Sequence, residues 1–115
     1  MQNASRMRML ACCFTLATIL LAPAARSQAQ KTASAERGKE LFTGEATPPC
    51  MICHTLADAG ATGEVGPNLD ELKPTEEKVL KAVTAGVGAM PPYGDMLSEE
   101  DIASLVAYVT SVAAK

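Results

Sequence analysis

Cys50-Met51-Ile52-Cys53-His54 is the stretch on which the reading of this chain turns. Two thiols stand three residues apart, and the only histidine of the 115-residue sequence follows the second directly. A structural disulfide across so short a loop would constrain little of the unfolded chain. A redox dithiol of the thioredoxin kind needs a βαβ setting, and a structural zinc ion wants four ligands where only three are adjacent. The remaining chemistry uses all three residues. Thiols at this spacing on one helical turn reach the two vinyl groups of a porphyrin, and the residue that follows turns back toward the iron. Neutral imidazole binds iron through Nε2 and leaves its other nitrogen for a nearby acceptor. The spacing therefore predicts one covalently attached c-type haem, with Cys50 and Cys53 as attachment points and His54 as an iron ligand.

Outward from that turn the pattern is helical. Upstream, a helix is predicted from about Ser34 to Thr43, with Ser34 as cap, Ala35, Gly38, Leu41 and Phe42 on one face, and Gly44 as the stop. Downstream, Thr75 after Pro74 opens a second helix with Glu76 and Glu77 in its first turn, where carboxylates suit the positive helix end. Val79, Leu80 and Val83 form its apolar face and Gly86 closes it. The third and strongest pattern begins at the cap Ser98, with Asp101 in the capping-box position. Ile102, Leu105, Val106, Val109 and Val112 follow at helical spacing to about Ala113. No segment alternates with period two, so strands are not expected. The stretches 60–67 and 86–94 are rich in Gly and Pro, and loops of that length need something to wrap around.

The first residues read as a secretory leader. Arg6 and Arg8 give a basic start, the run from Leu10 to Ala22 is apolar and uncharged, and Ser27-Gln28-Ala29 offers a cleavage site. That run is shorter than the roughly 20 residues needed to span a bilayer. The expected organisation is a cleaved leader over 1–29, which removes Cys12 and Cys13, and one domain over 30–115. With Arg6, Arg8 and Arg26 gone, the formal net charge sharpens from −3 to −6. An acidic exported chain lacks the basic stripe of a nucleic-acid module. It holds only Phe42, Tyr93 and Tyr108 as aromatics. A chain this small buries only about 60% of its surface and leans on a staple or cofactor for its core.

Taken together, these elements resemble the class I monohaem cytochromes c over nearly all of residues 30–115. Gly38-x-x-x-Phe42 and Leu105-x-x-Tyr108 resemble the family's crossing of terminal helices, where glycine permits close approach. Gly66-Pro67-Asn68-Leu69 is similar to its Gly-Pro-x-Leu element, whose proline carbonyl accepts from the ligand histidine. Met90-Pro91-Pro92-Tyr93, with Leu97-Ser98-Glu99-Glu100-Asp101, resembles the axial-methionine loop and the start of the last helix. The resemblance implies an all-α fold of three to four helices and long loops wrapped around one haem c, with Pro67 holding His54 and Met90 as second iron ligand. Met51 lies inside the attachment turn. Met96 stands two residues before the cap, at a variable family position. Met90 lies in a loop stiffened by Pro91 and Pro92. Plain packing is the alternative for Met90 and Met96 alike.

Imidazole and thioether together leave no iron position open to a substrate, and such ligation raises the potential. The expected protein is a non-enzymatic, monomeric periplasmic electron carrier, exchanging one electron between Fe(III) and Fe(II). Its donor would be a dehydrogenase or quinol-oxidising complex and its acceptor an oxidase or reductase. Surface charge would select partners, an acidic carrier preferring basic docking patches. Two other readings stay open: a haem subunit fixed to a periplasmic dehydrogenase, and a ligand-binding or peroxidase-like haem protein if neither Met90 nor Met96 binds iron. Phe42, Leu69, Leu80, Val83, Leu105 and Tyr108 are expected to line the haem pocket or the helix contacts. Tyr93 belongs either beside a haem propionate or in surface packing. Asp95, Glu99 and Glu100 are expected in solvent.

Overall fold

The computed structural model describes residues 34–115. The leader expected over 1–29, with Cys12 and Cys13, lies outside the described residues. Helix α1 covers 34–40 and continues as a wider π-helical turn, Leu41–Glu45. The short α2 is Leu69–Leu72, α3 is Glu76–Ala85 and α4 is Glu99–Ala113. Between α1 and α2 lie two 3-10 turns, Cys50–Ile52 and Ala57–Ala59, and the strands β1 (Thr55–Leu56) and β2 (Ala61–Thr62). Among the described residues, no helix is long and apolar enough to cross a membrane.

The all-α expectation holds, with local corrections. Ser34 is already helical rather than a cap, and the helical path runs past Gly44 to Glu45 before Ala46 turns extended. An antiparallel pair does form, with Thr55 opposite Thr62 and Leu56 opposite Ala61. Two-residue strands are too short to leave an alternating pattern. Thr75 caps α3 by accepting from the Lys78 N–H at 3.3 Å, and Ser98 caps α4 by accepting from the Asp101 N–H at 3.1 Å. The Asp101 carboxylate does not complete a capping box; it accepts instead from Arg37 Nε at 2.9 Å, tying α4 to α1. The guanidinium also pairs with Glu40 and Glu45.

The core centres on the crossing of α1 and α4. A Cβ on Gly38 would stand 2.6 Å from Tyr108 Cβ and would overlap the Ser104 carbonyl, so only glycine admits this approach. Phe42 packs edge-on against Tyr108, ring centroids 5.9 Å apart at 65°. Such aromatic pairs add about 0.5–1.5 kcal/mol beyond their burial. Tyr108 Oη donates to Asp58 Oδ2 at 2.8 Å, and Lys39 Nζ donates to the same oxygen at 3.0 Å. This network pins the turn downstream of His54 to both terminal helices. Val79 and Val83 of α3 are buried. Leu80 is not: at 49% exposed it faces solvent, one step off the stripe that Val79 and Val83 define.

Candidate haem site

Pro49 is extended and feeds the chain into the Cys50–Ile52 turn. The Cys53 and His54 N–H groups both donate to the Cys50 carbonyl, at 3.2 and 3.0 Å. One turn of backbone thereby carries both thiols and the imidazole. The cysteines are not bonded to each other, and burial pushes the Cys50 thiol up to about 11. Among the described residues no group of three or more His, Cys, Asp or Glu is arranged to hold a bare metal ion.

The Gly66 N–H donates to the Cys53 carbonyl at 2.7 Å, laying this backbone against the imidazole. A Cβ on Gly66 would stand 2.8 Å from His54 Nδ1, so the ring is cradled by bare backbone. The next carbonyl, that of Pro67, lies 2.9 Å from His54 Nδ1. A carbonyl can only accept, so Nδ1 carries the proton and Nε2 keeps its lone pair. Asn68 caps α2 by accepting from the Asp70 N–H at 3.0 Å, and Asp70 Oδ2 accepts from the Ala57 N–H at 2.8 Å. These two contacts fix the position of the Pro67 carbonyl relative to the turn after His54. Sequence reasoning had missed both, although Asn followed by Asp and Glu is a readable helix start.

The methionine loop is built by short backbone pairs. Val87 and Met90 exchange N–H···O bonds at 3.2 and 2.9 Å, and Tyr93 N–H donates back to the Val83 carbonyl of α3 at 2.8 Å. Tyr93 itself is buried, and its hydroxyl donates to the Pro48 carbonyl at 2.6 Å. It is therefore neither a surface packing residue nor free to donate toward a propionate. Tyr93 joins the methionine loop to the approach to Cys50. Burial, with the neighbouring Cys50 and Cys53, pushes its phenol up to about 12.

Between these parts lies a cavity of about 560 Å³. Cys50, Cys53, His54, Pro67 and Met90 all stand on its wall, with Leu69, Val79, Val83 and Tyr93 among the apolar lining. Met51 packs against the core away from that wall, and Met96 is 54% exposed and off it. Phe42, Leu105 and Tyr108 serve the helix crossing, while Leu80 serves neither. Asp95, Glu99 and Glu100 are exposed as expected. Two thiols, an imidazole with a free Nε2 and a thioether around an aliphatic cavity fit a large, flat, apolar group with an iron at its centre.

A family model described as cytochrome c oxidase, cbb3-type, subunit III matches residues 33–109. Cytochrome c6 of Picosynechococcus sp. (strain ATCC 27264 / PCC 7002 / PR-6) is 38% identical over 93 residues, covering 70% of this chain and 75% of its own length. Cytochrome c-551 of Halorhodospira halophila is 28% identical over 75 residues, covering 64% of this chain and 96% of its own. Among solved structures, the c-type cytochrome SorU from Sinorhizobium meliloti matches with a TM-score of 0.70 and 50% identity, covering 73% of this chain and 95% of that one.

Proposed function

Because this chain belongs to the class I c-type cytochromes and carries covalently bound haem c, we propose that it is a periplasmic electron carrier whose iron is held by His54 and Met90. The bound haem supplies one-electron exchange between Fe(III) and Fe(II). Cys50 and Cys53 provide the two thioether sulfurs. The Pro67 carbonyl holds the His54 proton on Nδ1, which orients the ring and raises the basicity of Nε2. Met90 would supply a second protein ligand to that iron and would leave no position for a substrate, which favours a carrier over an enzyme. Leu69, Val79 and Val83 would present an apolar wall to the bound group.

The observation that carries this reading is the convergence of Cys50, Cys53, His54 and Met90 on one apolar cavity. Met90 on that wall favours a carrier over a ligand-binding haem protein. The carrier works as a monomer between a dehydrogenase or quinol-oxidising complex and an oxidase or reductase. The test is an intact mass with oxidised and reduced visible spectra of exported protein. Residues 30–115 plus one haem, with low-spin spectra, is the expected result. Polypeptide mass alone, or high-spin iron that binds CO readily, overturns it. Stoichiometric co-purification with a catalytic subunit would make the chain a fixed haem subunit instead of a free carrier.

A further inference from the structure

The methionine loop is tied by its backbone only to itself and to α3. Val87 and Met90 bond to each other, the Tyr93 N–H donates to the Val83 carbonyl at 2.8 Å, and the Gly94 N–H donates to the Thr84 carbonyl at 3.2 Å. Among the described residues, one hydrogen bond crosses from this loop to the segment carrying Cys50, Cys53 and His54: Tyr93 Oη donates to the Pro48 carbonyl at 2.6 Å. Both ends of that bond are stiff. On the donor side Pro91 and Pro92, each with φ fixed by its ring, stand between Met90 and Tyr93, so a shift of the tyrosine reaches Met90 instead of being absorbed on the way. On the acceptor side Pro48 and Pro49 lead directly into Cys50, and Pro49 is extended at φ −65° and ψ 141°. Tyr93 is only 3% exposed and stands on the cavity wall with Pro48, Cys50 and Met90. A buried phenol needs a partner for its hydroxyl, and in apolar surroundings water does not compete for the bond.

Resting on the haem-carrier reading above, we propose that Tyr93 is a positioning residue for Met90: its hydroxyl, locked on the Pro48 carbonyl, latches the methionine loop to the attachment segment and keeps the thioether on the iron. Pro48 stands two residues before Cys50, so a loop latched there is held to the same backbone that holds the haem. A loop tied to α3 alone would follow every shift of α3 relative to that turn. The latch therefore biases the loop toward the conformation with Met90 in place, and the fraction out of place sets how readily a small ligand competes with Met90 for the iron. One net hydrogen bond changes such a fraction by about 5-fold.

The experiment uses exported holoprotein: wild type, Tyr93→Phe, position 93 as 4-aminophenylalanine, and Tyr108→Phe. The first variant loses only the hydroxyl, and the second keeps a donor at the same place on the ring. The third loses a hydroxyl that donates to Asp58, off the cavity wall. Intact mass and the far-red ferric band first establish haem attachment and methionine ligation; a wild type lacking either overturns the carrier reading and this inference with it. Ferric protein is then titrated with imidazole and followed by loss of that band. Tyr93→Phe is expected to bind imidazole about 5-fold more tightly than wild type, the amino variant to return toward wild type, and Tyr108→Phe to match wild type although it is less stable. Wild-type affinity in haem-loaded Tyr93→Phe, or an equal gain in Tyr108→Phe, overturns the latch while leaving the carrier reading intact. Amide exchange of wild-type holoprotein tests the latch without any variant. The Met90 and Tyr93 N–H groups are expected to exchange as slowly as those of α3, and exchange at the rate of an open loop overturns the latch.

Discussion

The α1–α4 crossing and the α3 cavity wall draw on the same kinds of residue and are finished in opposite ways. At the crossing, the protein completes its own packing: Gly38 sits on the Ser104–Tyr108 backbone, Phe42 meets Tyr108, and Arg37 reaches Asp101. At the cavity, Leu69, Val79, Val83 and Met90 face a space of about 560 Å³. Val65, Leu72 and Val87 on its wall stay largely exposed, apolar surface that the protein's own side chains leave uncovered. One region is a core the protein closes itself, and the other is left open by the protein's own side chains.

The largest expected effect follows from that contrast. Replacing Cys50 and Cys53 together by alanine removes covalent attachment, and the exported chain is expected to lose cooperative unfolding and most of its helical circular dichroism. Helicity that resists urea in this variant would mean that the α1–α4 crossing alone suffices to hold the fold. Next in size is Gly38→Val, which forces a side chain into backbone that cannot move aside. It is expected to cost about 3 kcal/mol in denaturant unfolding while the haem spectrum stays as in wild type. An unchanged unfolding midpoint would mean that the helices have room to part.

Smaller is Tyr108→Phe, which deletes a hydrogen bond to a charged acceptor and is expected to cost about 1.5 kcal/mol at neutral pH. Lys39 first, and Tyr108 second, hold the Asp58 carboxyl below the usual carboxylate range. A depressed folded pKa gives stability that is present above the ordinary carboxylate value and lost as pH falls through the lowered one. The Tyr108→Phe penalty should therefore shrink in acid, measured by urea melts at neutral and acidic pH. A penalty that stays constant would detach Asp58 from the crossing. Smallest is Leu80→Ser on the solvent side of α3, expected within about 0.5 kcal/mol of wild type in the same melts.

Sequence carried the attachment turn, the cap Ser98 and, within one residue, the start of α3 at Thr75, because each is a local pattern with one physical use; the glycine at the crossing came from the family resemblance. The helix α2 was too short for periodicity to reveal, and the β1–β2 pair too short for alternation. Leu80 was misplaced because apolar character alone does not say which side of a stripe a residue takes. Asp101 fitted a capping box by spacing, yet Arg37, 64 residues earlier in the chain, outcompeted the local backbone for its carboxylate. Local pattern does not place Tyr93 for the same reason: its partner, the Pro48 carbonyl, is 45 residues away. Long-range polar pairing is what a single sequence conceals most completely.

The proposed ligation of the haem iron by His54 and Met90 can be read from its spectrum. The most direct test is the ferric visible spectrum of wild type, Met90→Ala and Met96→Ala holoproteins, read for the weak far-red band of methionine-ligated haem. The band is expected in wild type and in Met96→Ala, and its loss in Met90→Ala together with ready CO binding by the reduced protein. The band persisting in Met90→Ala, or missing from wild type, would contradict it.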